Sequence, residues 1–121
     1  MGKKVDDSVL DGALGVIDAN MTAMHANTAE PADRAAAISD SLADIAMDSG
    51  DGAIANGDTN GRKITIAQQS SVPIDSNGTA THISLISGSV LLYVTTCTSQ
   101  VLTAGGTVTF PAWDIEIADP A

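Results

Sequence analysis

The chain has 121 residues, with 15 acidic side chains against 5 basic ones and a formal net charge of −10. Its length allows one hydrophobic core, so we predict a single domain over residues 1–121. So acidic a chain lacks the clustered lysines and arginines that neutralise phosphates, which argues against nucleic-acid and anionic membrane partners.

The first predicted element is a helix over residues 6–19. Ser8 and Asp11 fit a capping box, and Asp6 and Asp7 suit the positive N-terminal end of a helix. Apolar residues recur at helical spacing, namely Leu10, Leu14, Ile17 and Met21. Two glycines inside the segment weaken an isolated helix, so we expect it to need a surface on which to dock.

The segment after this helix has a weaker pattern. Alternating side chains over residues 21–30 permit a short strand. Pro31 suits the first turn of a second helix, which the following alanines favour. This helix either continues to Met47 or ends near Ser39 and is followed by a strand over residues 42–47. We predict the shorter helix.

From Arg62 onward the apolar period changes to two, which predicts strands. The residues that alternate on one side are Ile64 and Ile66, Ile83 and Leu85, Leu91 and Tyr93, and Trp113, Ile115 and Ile117. Turn sequences at 75–78, 87–88 and 104–106 separate these strands at hairpin spacing. Only 2% of the residues are aromatic, so the core is predicted to be aliphatic.

Short antiparallel strands with frequent turns indicate the fold class. We predict a mainly β (α+β) protein, an antiparallel β-sandwich that is jelly-roll-like and carries an N-terminal helix and a short second helix. Residues 1–58 hold 11 acids and 3 bases, whereas residues 59–121 hold 4 acids and 2 bases. We therefore interpret residues 1–50 as an acidic, helical or arm-like half and residues 51–121 as the sandwich.

Two histidines and a single cysteine raise the question of a metal site. His25, His82 and Cys97 lack the spacing of a known ligand signature. The aspartates and glycines of residues 48–58 match neither an EF-hand loop nor a glycine-rich calcium repeat. We predict no metal and no cofactor, and interpret Cys97 as a packed strand residue.

The sequence contains no arrangement typical of an enzyme. It has no Gly-x-Ser-x-Gly elbow, and neither histidine has a neighbouring motif that pairs it with a nucleophile. Residues 57–63 have the wrong spacing and context for a phosphate loop. Asp114 and Glu116 point to one face of a strand, which we interpret as the solvent face. We predict no catalytic residues.

Four segments resemble small virion proteins of tailed bacteriophages and prophages. They are Gly57-Asp-Thr-Asn-Gly-Arg-Lys-Ile-Thr-Ile66, Gly78-Thr-Ala-Thr-His-Ile-Ser-Leu85, Leu91-Leu-Tyr-Val-Thr-Thr96 and Leu102-Thr-Ala-Gly-Gly-Thr-Val-Thr-Phe-Pro-Ala-Trp-Asp-Ile-Glu-Ile117. The resemblance covers residues 57–119, about half of the chain. It implies a β-sandwich that decorates or cements an icosahedral head.

The resemblance implies a capsid cement, or decoration, protein. Such a protein is made in the host cytoplasm, binds the outside of the capsid in the virion, and bridges subunits of the major capsid protein as a homo-oligomer, a dimer or trimer. A tail, collar or head-to-tail connector protein is the neighbouring alternative. A carbohydrate-binding module would need an exposed aromatic platform, which only Tyr93, Phe110 and Trp113 could build, and burial of all three would exclude it. A small hydrolase would need a converging acid, base and nucleophile.

The N-terminal half lies outside the resemblance, and we predict that residues 1–30 supply a docking arm or an oligomer contact. The candidate contact residues are Val5, Val9, Leu10, Leu14, Ile17 and Met21. The acidic surface of this half is expected to face basic patches of the coat protein, in a contact that salt weakens.

Overall fold

The computed structural model describes residues 2–120, and this part of the chain forms two α-helices, one 3₁₀ turn and nine strands. The helices are α1 (Asp7–Asn20) and α2 (Arg34–Ser39), and the 3₁₀ turn is Ser49–Asp51. The strands are β1 (Ala23–Asn27), β2 (Ser41–Ala46), β3 (Gly52–Asn56), β4 (Arg62–Ile66), β5 (Gln69–Pro73), β6 (Gly78–Ile86), β7 (Leu91–Leu102), β8 (Thr107–Phe110) and β9 (Trp113–Ile117).

α1 begins at Asp7 because Asp6 caps it. The Asp6 carboxylate accepts a hydrogen bond from the Ser8 amide at 3.0 Å. The predicted capping box of Ser8 and Asp11 is therefore wrong, since Ser8 already lies inside the first turn. Asp11 instead accepts a hydrogen bond from Arg62 of β4 at 2.7 Å. The helix packs against β3 and β4, which supplies the surface that a glycine-containing helix needs.

The second helix is the short one that was predicted, and a strand follows it. Its N-cap is Asp33, whose carboxylate accepts a hydrogen bond from the Ala36 amide at 2.8 Å. Pro31 therefore precedes the helix and does not open it, which corrects that detail. The helix starts after Asp33 because this side chain accepts a hydrogen bond from a first-turn amide that has no partner within the helix. The preference of proline for a first helical position is the weaker effect here.

One layer of the fold is a four-stranded antiparallel sheet in the order β2-β1-β6-β7. β1 pairs with β2 on one side and with β6 on the other, so residues 23–27 occupy a central strand. The predicted division into a helical or arm-like half at 1–50 and a sandwich at 51–121 is wrong in this respect. Strands from both halves form the same sheet.

The facing layer consists of two ladders, β3-β4-β9 and β5-β8. β4 and β5 follow one another along the chain, as do β8 and β9, so the ladders continue across a bend. Ile66 pairs with Trp113 at the end of one ladder, and Gln69 pairs with Phe110 at the start of the next. Pro111 lies in the bend, where its missing amide costs no ladder hydrogen bond.

The core between the layers is aliphatic, as predicted. Its buried members are Leu14, Ile17, Met21, Met24, Ala26, Leu42, Ala43, Met47, Ile64, Ile66, Val72, Ile74, Ala80, Ile83, Leu85, Leu102, Phe110 and Ile115. Every strand except β3 contributes to this list, and Ile54 of β3 packs against it. Burial of aliphatic side chains from both layers is therefore what holds the layers together.

β7 departs from the predicted alternation at its start. The register with β6 shifts between Leu85 and Ile86, so that Leu85 pairs with Tyr93 and Ile86 with Leu91. Leu92 is the extra residue at this bulge, and it packs against the core. Tyr93, predicted on the same stripe as Leu91, retains 37% exposure. A bulge changes which residues face inward without leaving a sequence signal.

The fold class predicted from the sequence is confirmed. The protein is mainly β, with antiparallel strands in a sandwich-like α+β arrangement, an N-terminal helix and a short second helix. A jelly roll has eight strands in two sheets. Here one layer has four strands and the other is divided into ladders of three and two.

Candidate interaction surfaces

The six residues predicted to form docking contacts divide into two groups. Leu10, Leu14, Ile17 and Met21 are buried, with exposed fractions of 7%, 1%, 9% and 3%. Their prediction as docking contacts is wrong, because the helical spacing that identified them marks the face that packs inward. Val5 is half-buried and Val9 is 61% exposed. These two valines keep surface that a partner can reach.

The outer face of α1 carries an exposed apolar strip, the α1 strip, formed by Val9, Gly12, Ala13 and Val16. Val9 and Val16 are 61% and 54% exposed, and their seven-residue spacing places them on one side of the helix. No atom outside the helix lies within 4 Å of the Cβ position at Gly12, so a partner can approach the helix backbone there. Val16 was missed, although the same spacing would have identified it.

Acidic side chains border the α1 strip. Asp6 and Asp7 lie at its N-terminal end, and the hydroxyl and amide of Ser8 lower the pKa of Asp6 by hydrogen bonding to its carboxylate. Asp11 is paired with the Arg62 guanidinium through Nε at 2.7 Å and Nη2 at 3.3 Å. The bidentate pair anchors α1 to β4. The surface is thus apolar in the middle and acidic at its N-terminal edge.

A second charged cluster covers the outer face of β4 and β9. Lys63 contacts Asp58 at 2.8 Å and Asp114 at 3.3 Å. The Thr65 hydroxyl donates to Asp114 at 2.7 Å, and this bond, followed by the Lys63 ammonium, lowers the pKa of Asp114. Glu116 accepts a hydrogen bond from the Asp58 amide. Both carboxylates are thus held by neighbouring strand and loop groups, which suits a structural role.

Residues 57–61 join β3 to β4 as a hairpin connection, and Arg62 and Lys63 already belong to β4. The Gly57 amide donates to the Gly61 carbonyl at 2.9 Å, so the loop closes on itself. A phosphate loop instead leads from a strand into a helix, whose amide groups point at the anion. This connection leads from a strand into a strand and offers no such set of donors.

The residues considered for metal binding are not brought together. No group of three or more His, Cys, Asp or Glu side chains in residues 2–120 is placed to hold a metal ion. Cys97 lies on β7, and partial burial raises the pKa of its thiol. Asp48 and Asp51 cap the 3₁₀ turn reciprocally, so their carboxylates satisfy local backbone amides.

His25 lies on the outer face of the four-stranded sheet, beside Ser41 of β2. Its Nδ1 is 2.8 Å from the Ser41 hydroxyl, which itself donates to the Ala43 carbonyl at 3.1 Å. Because the Ser41 hydroxyl already donates its hydrogen to Ala43, its oxygen accepts a hydrogen bond from His25 Nδ1–H. The other ring nitrogen, Nε2, is buried without a hydrogen-bond partner. With its proton on Nδ1, His25 cannot take a proton from Ser41, so this pair does not activate a nucleophile.

A buried polar network lies next to His25. The Asn27 side chain donates to the Ala37 carbonyl at 2.8 Å and accepts from the Ser84 hydroxyl at 2.6 Å. Asn27 and Ser84 are both fully buried. The network ties α2 to the outer face of the sheet and satisfies groups that burial would otherwise leave without partners.

An open apolar cavity of about 200 Å³ lies between β7 and β8. Ile83, Leu102, Val108 and Phe110 contribute to its lining, and Cys97 is the one titratable residue that lines it. Sites for drug-sized ligands are larger and carry several converging polar groups. The cavity marks the side on which the two layers of the sandwich are open.

The three aromatic residues do not form one exposed platform. Phe110 is buried, with 2% exposure. Tyr93 and Trp113 lie at the rim of the core with ring centroids 5.9 Å apart and planes inclined by 31°. Phe110 is therefore excluded from an aromatic platform, whereas Tyr93 and Trp113 keep exposed surface side by side, and the carbohydrate-binding alternative stays a prediction.

Comparisons of the chain with protein-family models, curated proteins and solved structures found no match. Within residues 2–120 the helices are too short to cross a membrane.

Proposed function

We propose that this protein is a virion structural protein of a tailed bacteriophage, a cement protein that binds the outside of the capsid and stabilises contacts between subunits of the major capsid protein. Two features support the proposal. The four segments that resemble phage virion proteins form, or lie within, the strands and turns from the β3–β4 connection to β9. The α1 strip supplies a surface suited to a protein partner.

The observation that carries the proposal is the two-sided character of α1. Its inner face packs on the sandwich, while its outer face leaves Val9 and Val16 exposed. A contiguous apolar strip on one rigid element is a surface that a protein partner can cover. With Asp6 and Asp7 at its edge, the strip fits an apolar groove bordered by basic side chains on the coat protein.

The first test is a quantitative peptide count from purified virions. A capsid cement protein is expected in hundreds of copies per particle, because it contacts repeated coat subunits. A handful of copies would contradict the proposal and favour the tail, collar or connector alternative. Absence of the polypeptide from the particles would exclude all of these roles.

The second test addresses the surface. Val9→Lys combined with Val16→Lys places positive charges in the α1 strip and is expected to abolish incorporation into particles while the protein stays folded. The matched control is Ile38→Lys, which changes another aliphatic helix residue that is 44% exposed. Normal incorporation of the double variant would exclude α1 as the docking element.

A further inference from the structure

β7 forms an open edge of the four-stranded sheet. It runs for twelve residues, pairs with β6 along one side, and has no strand beside its other side within residues 2–120. Such an edge presents a row of backbone donors and acceptors that can pair with another strand. The apolar cavity between β7 and β8 opens along the same side of the molecule.

The opposite edge of the same sheet is protected. Ala43 of β2 forms a bridge with Ile74, and the Leu42 carbonyl accepts hydrogen bonds from the amides of Asp75 and Ser76 at 2.7 and 3.2 Å. β2 also carries the charged side chain of Asp44. Covering segments and charges are the usual means by which proteins prevent edge pairing.

β7 is neither covered nor charged, and its register with β6 shifts near Leu92 and again between Thr96 and Gln100, so its regular edge lies between these shifts, over residues 93–96. Its sequence, Leu91 to Leu102, contains no charged residue and no proline. The chain as a whole carries a net charge of −10, yet residues 76–113 include no Asp, Glu, Lys or Arg. The uncharged part of this acidic protein is thus where the sheet is left open.

We propose that β7 is a self-association surface, on which the β7 strand of a second copy of this chain pairs antiparallel about a two-fold axis. The two sheets then form one sheet of eight strands, in the order β2-β1-β6-β7 continued by its symmetry mate. A two-fold axis brings a strand against itself in the antiparallel direction, so the surface is complementary to its own copy.

A second copy of the chain is the expected partner of β7, because this strand carries no charged side chain and is twelve residues long. Two molecules of net charge −10 repel one another over most of their surfaces, whereas β7 brings no like charges together. A twelve-residue strand extends about 40 Å. Pairing along its regular stretches forms backbone hydrogen bonds of the kind that add a strand to an open sheet edge.

The test measures the oligomeric state of the purified full-length chain against concentration, by sedimentation or light scattering. The wild-type protein is expected to dimerise. Thr96→Lys combined with Thr98→Lys places exposed positive charges on β7, and we expect it to raise the dimer dissociation constant at least about tenfold. The matched control is Ala53→Lys combined with Ala55→Lys, which places lysines at the same spacing on two exposed residues of β3, an edge strand away from the cavity, and is expected to dimerise normally.

Cysteine cross-linking gives a second measurement that does not depend on the lysine variant folding. In a Cys97→Ser background, single cysteines placed one at a time from position 94 to 100 are expected to form an intermolecular disulfide only near the two-fold axis. A wild-type chain that stays monomeric or forms trimers, a control variant that is equally disrupted, or cross-links that form only outside β7 would each overturn the proposal. The inference does not rest on the virion role, since it is tested on the purified chain alone.

Discussion

At the residue scale, the side chain of Asn27 is the clearest case of a buried polar group with a structural task. It joins the Ala37 carbonyl of α2 to the Ser84 hydroxyl of β6. We expect Asn27→Ala to lower the free energy of unfolding by about 2–4 kcal/mol, because both partners lose their hydrogen bonds while they remain buried. Chemical denaturation measures the change.

Ser84→Ala provides the control for this network. It removes one hydroxyl and leaves the Asn27–Ala37 bond intact, so its expected cost is smaller, about 1 kcal/mol. A double-mutant cycle of Asn27→Ala with Ser84→Ala should give a coupling energy of at least about 0.5 kcal/mol. Additive effects would mean that the two side chains act independently.

The lowered pKa of His25 predicts that the protein loses stability in mild acid. Burial, followed by the positive charge of Arg34, lowers its pKa, and Asp44 offsets part of this effect. The unfolded chain therefore takes up a proton at His25 near pH 6.5, while the folded chain does so only at lower pH. Stability that is fully present above about pH 6.5 is lost as the pH falls towards the folded-state pKa.

The assignment to His25 is tested by comparing variants. We expect His25→Gln to reduce the slope of unfolding free energy against pH below pH 6.5, at a cost of about 1 kcal/mol at neutral pH from the lost Ser41 bond. His82→Gln, on the neighbouring strand β6, controls for the substitution itself. The same loss of slope in His82→Gln, or an unchanged slope in His25→Gln, would contradict the assignment.

Both the backbone dihedral angle and the neighbouring atoms disfavour a side chain at Gly61. Its φ is +72°, and a Cβ at this position would lie 2.0 Å from the Ile117 carbonyl oxygen. Gly105 also has a positive φ, +90°, but no atom lies within 4 Å of its Cβ position. We expect Gly105→Ala to cost about 1 kcal/mol from the dihedral angle alone, and Gly61→Ala to cost about 2 kcal/mol more. Equal losses in thermal unfolding would contradict the role of the Ile117 contact.

At the element scale, the two faces of α1 have different tasks. Leu14 is 1% exposed and Val9 is 61% exposed. We expect Leu14→Ala to lower the free energy of unfolding by about 2–5 kcal/mol through the cavity it leaves. Val9→Ala should change it by no more than about 0.5 kcal/mol while weakening attachment to the coat protein. A large stability loss from Val9→Ala would assign that face to the core.

The elements also differ in how far local sequence determines them. β4, β6 and β9 follow from alternation, and a short second helix followed by a strand was predicted, although the helix begins at Arg34 and not at Pro31 and the strand spans Ser41–Ala46. The bulge at Leu92 was not predictable, because one inserted residue in a run of Leu-Leu-Tyr-Val is compatible with either register. The misassigned cap of α1 has a similar cause, since Asp6 and Ser8 are both good N-cap residues and only geometry distinguishes them.

At the scale of the whole molecule, the acidic surface predicts that the proposed attachment to a capsid depends on salt. The chain carries a net charge of −10, and a basic coat-protein surface would attract it over distances of about a Debye length. We expect affinity for particles that lack the protein to fall several-fold as salt rises from low to physiological levels. Binding that is independent of salt would indicate a purely apolar contact.

Dimer formation through β7 should respond differently to salt. Its contacts are backbone hydrogen bonds between uncharged strands, while the rest of the two surfaces is acidic. Screening of that repulsion is expected to strengthen the dimer. Capsid attachment and self-association are therefore separable by the sign of their salt dependence.

The sequence by itself determined strands such as β4, β6 and β9, the main turns, the aliphatic core and the mainly β class, because alternation and turn chemistry act over a few neighbouring residues; β3 and β5 were not predicted. The tertiary structure decided which valines of α1 face outward, that β1 is a central strand, and which sheet edge is open. Those outcomes depend on contacts such as Arg62–Asp11 and Ser84–Asn27, between residues 51 and 57 positions apart. Only the folded chain brings such distant residues together, and both proposed surfaces are defined by what those contacts leave exposed.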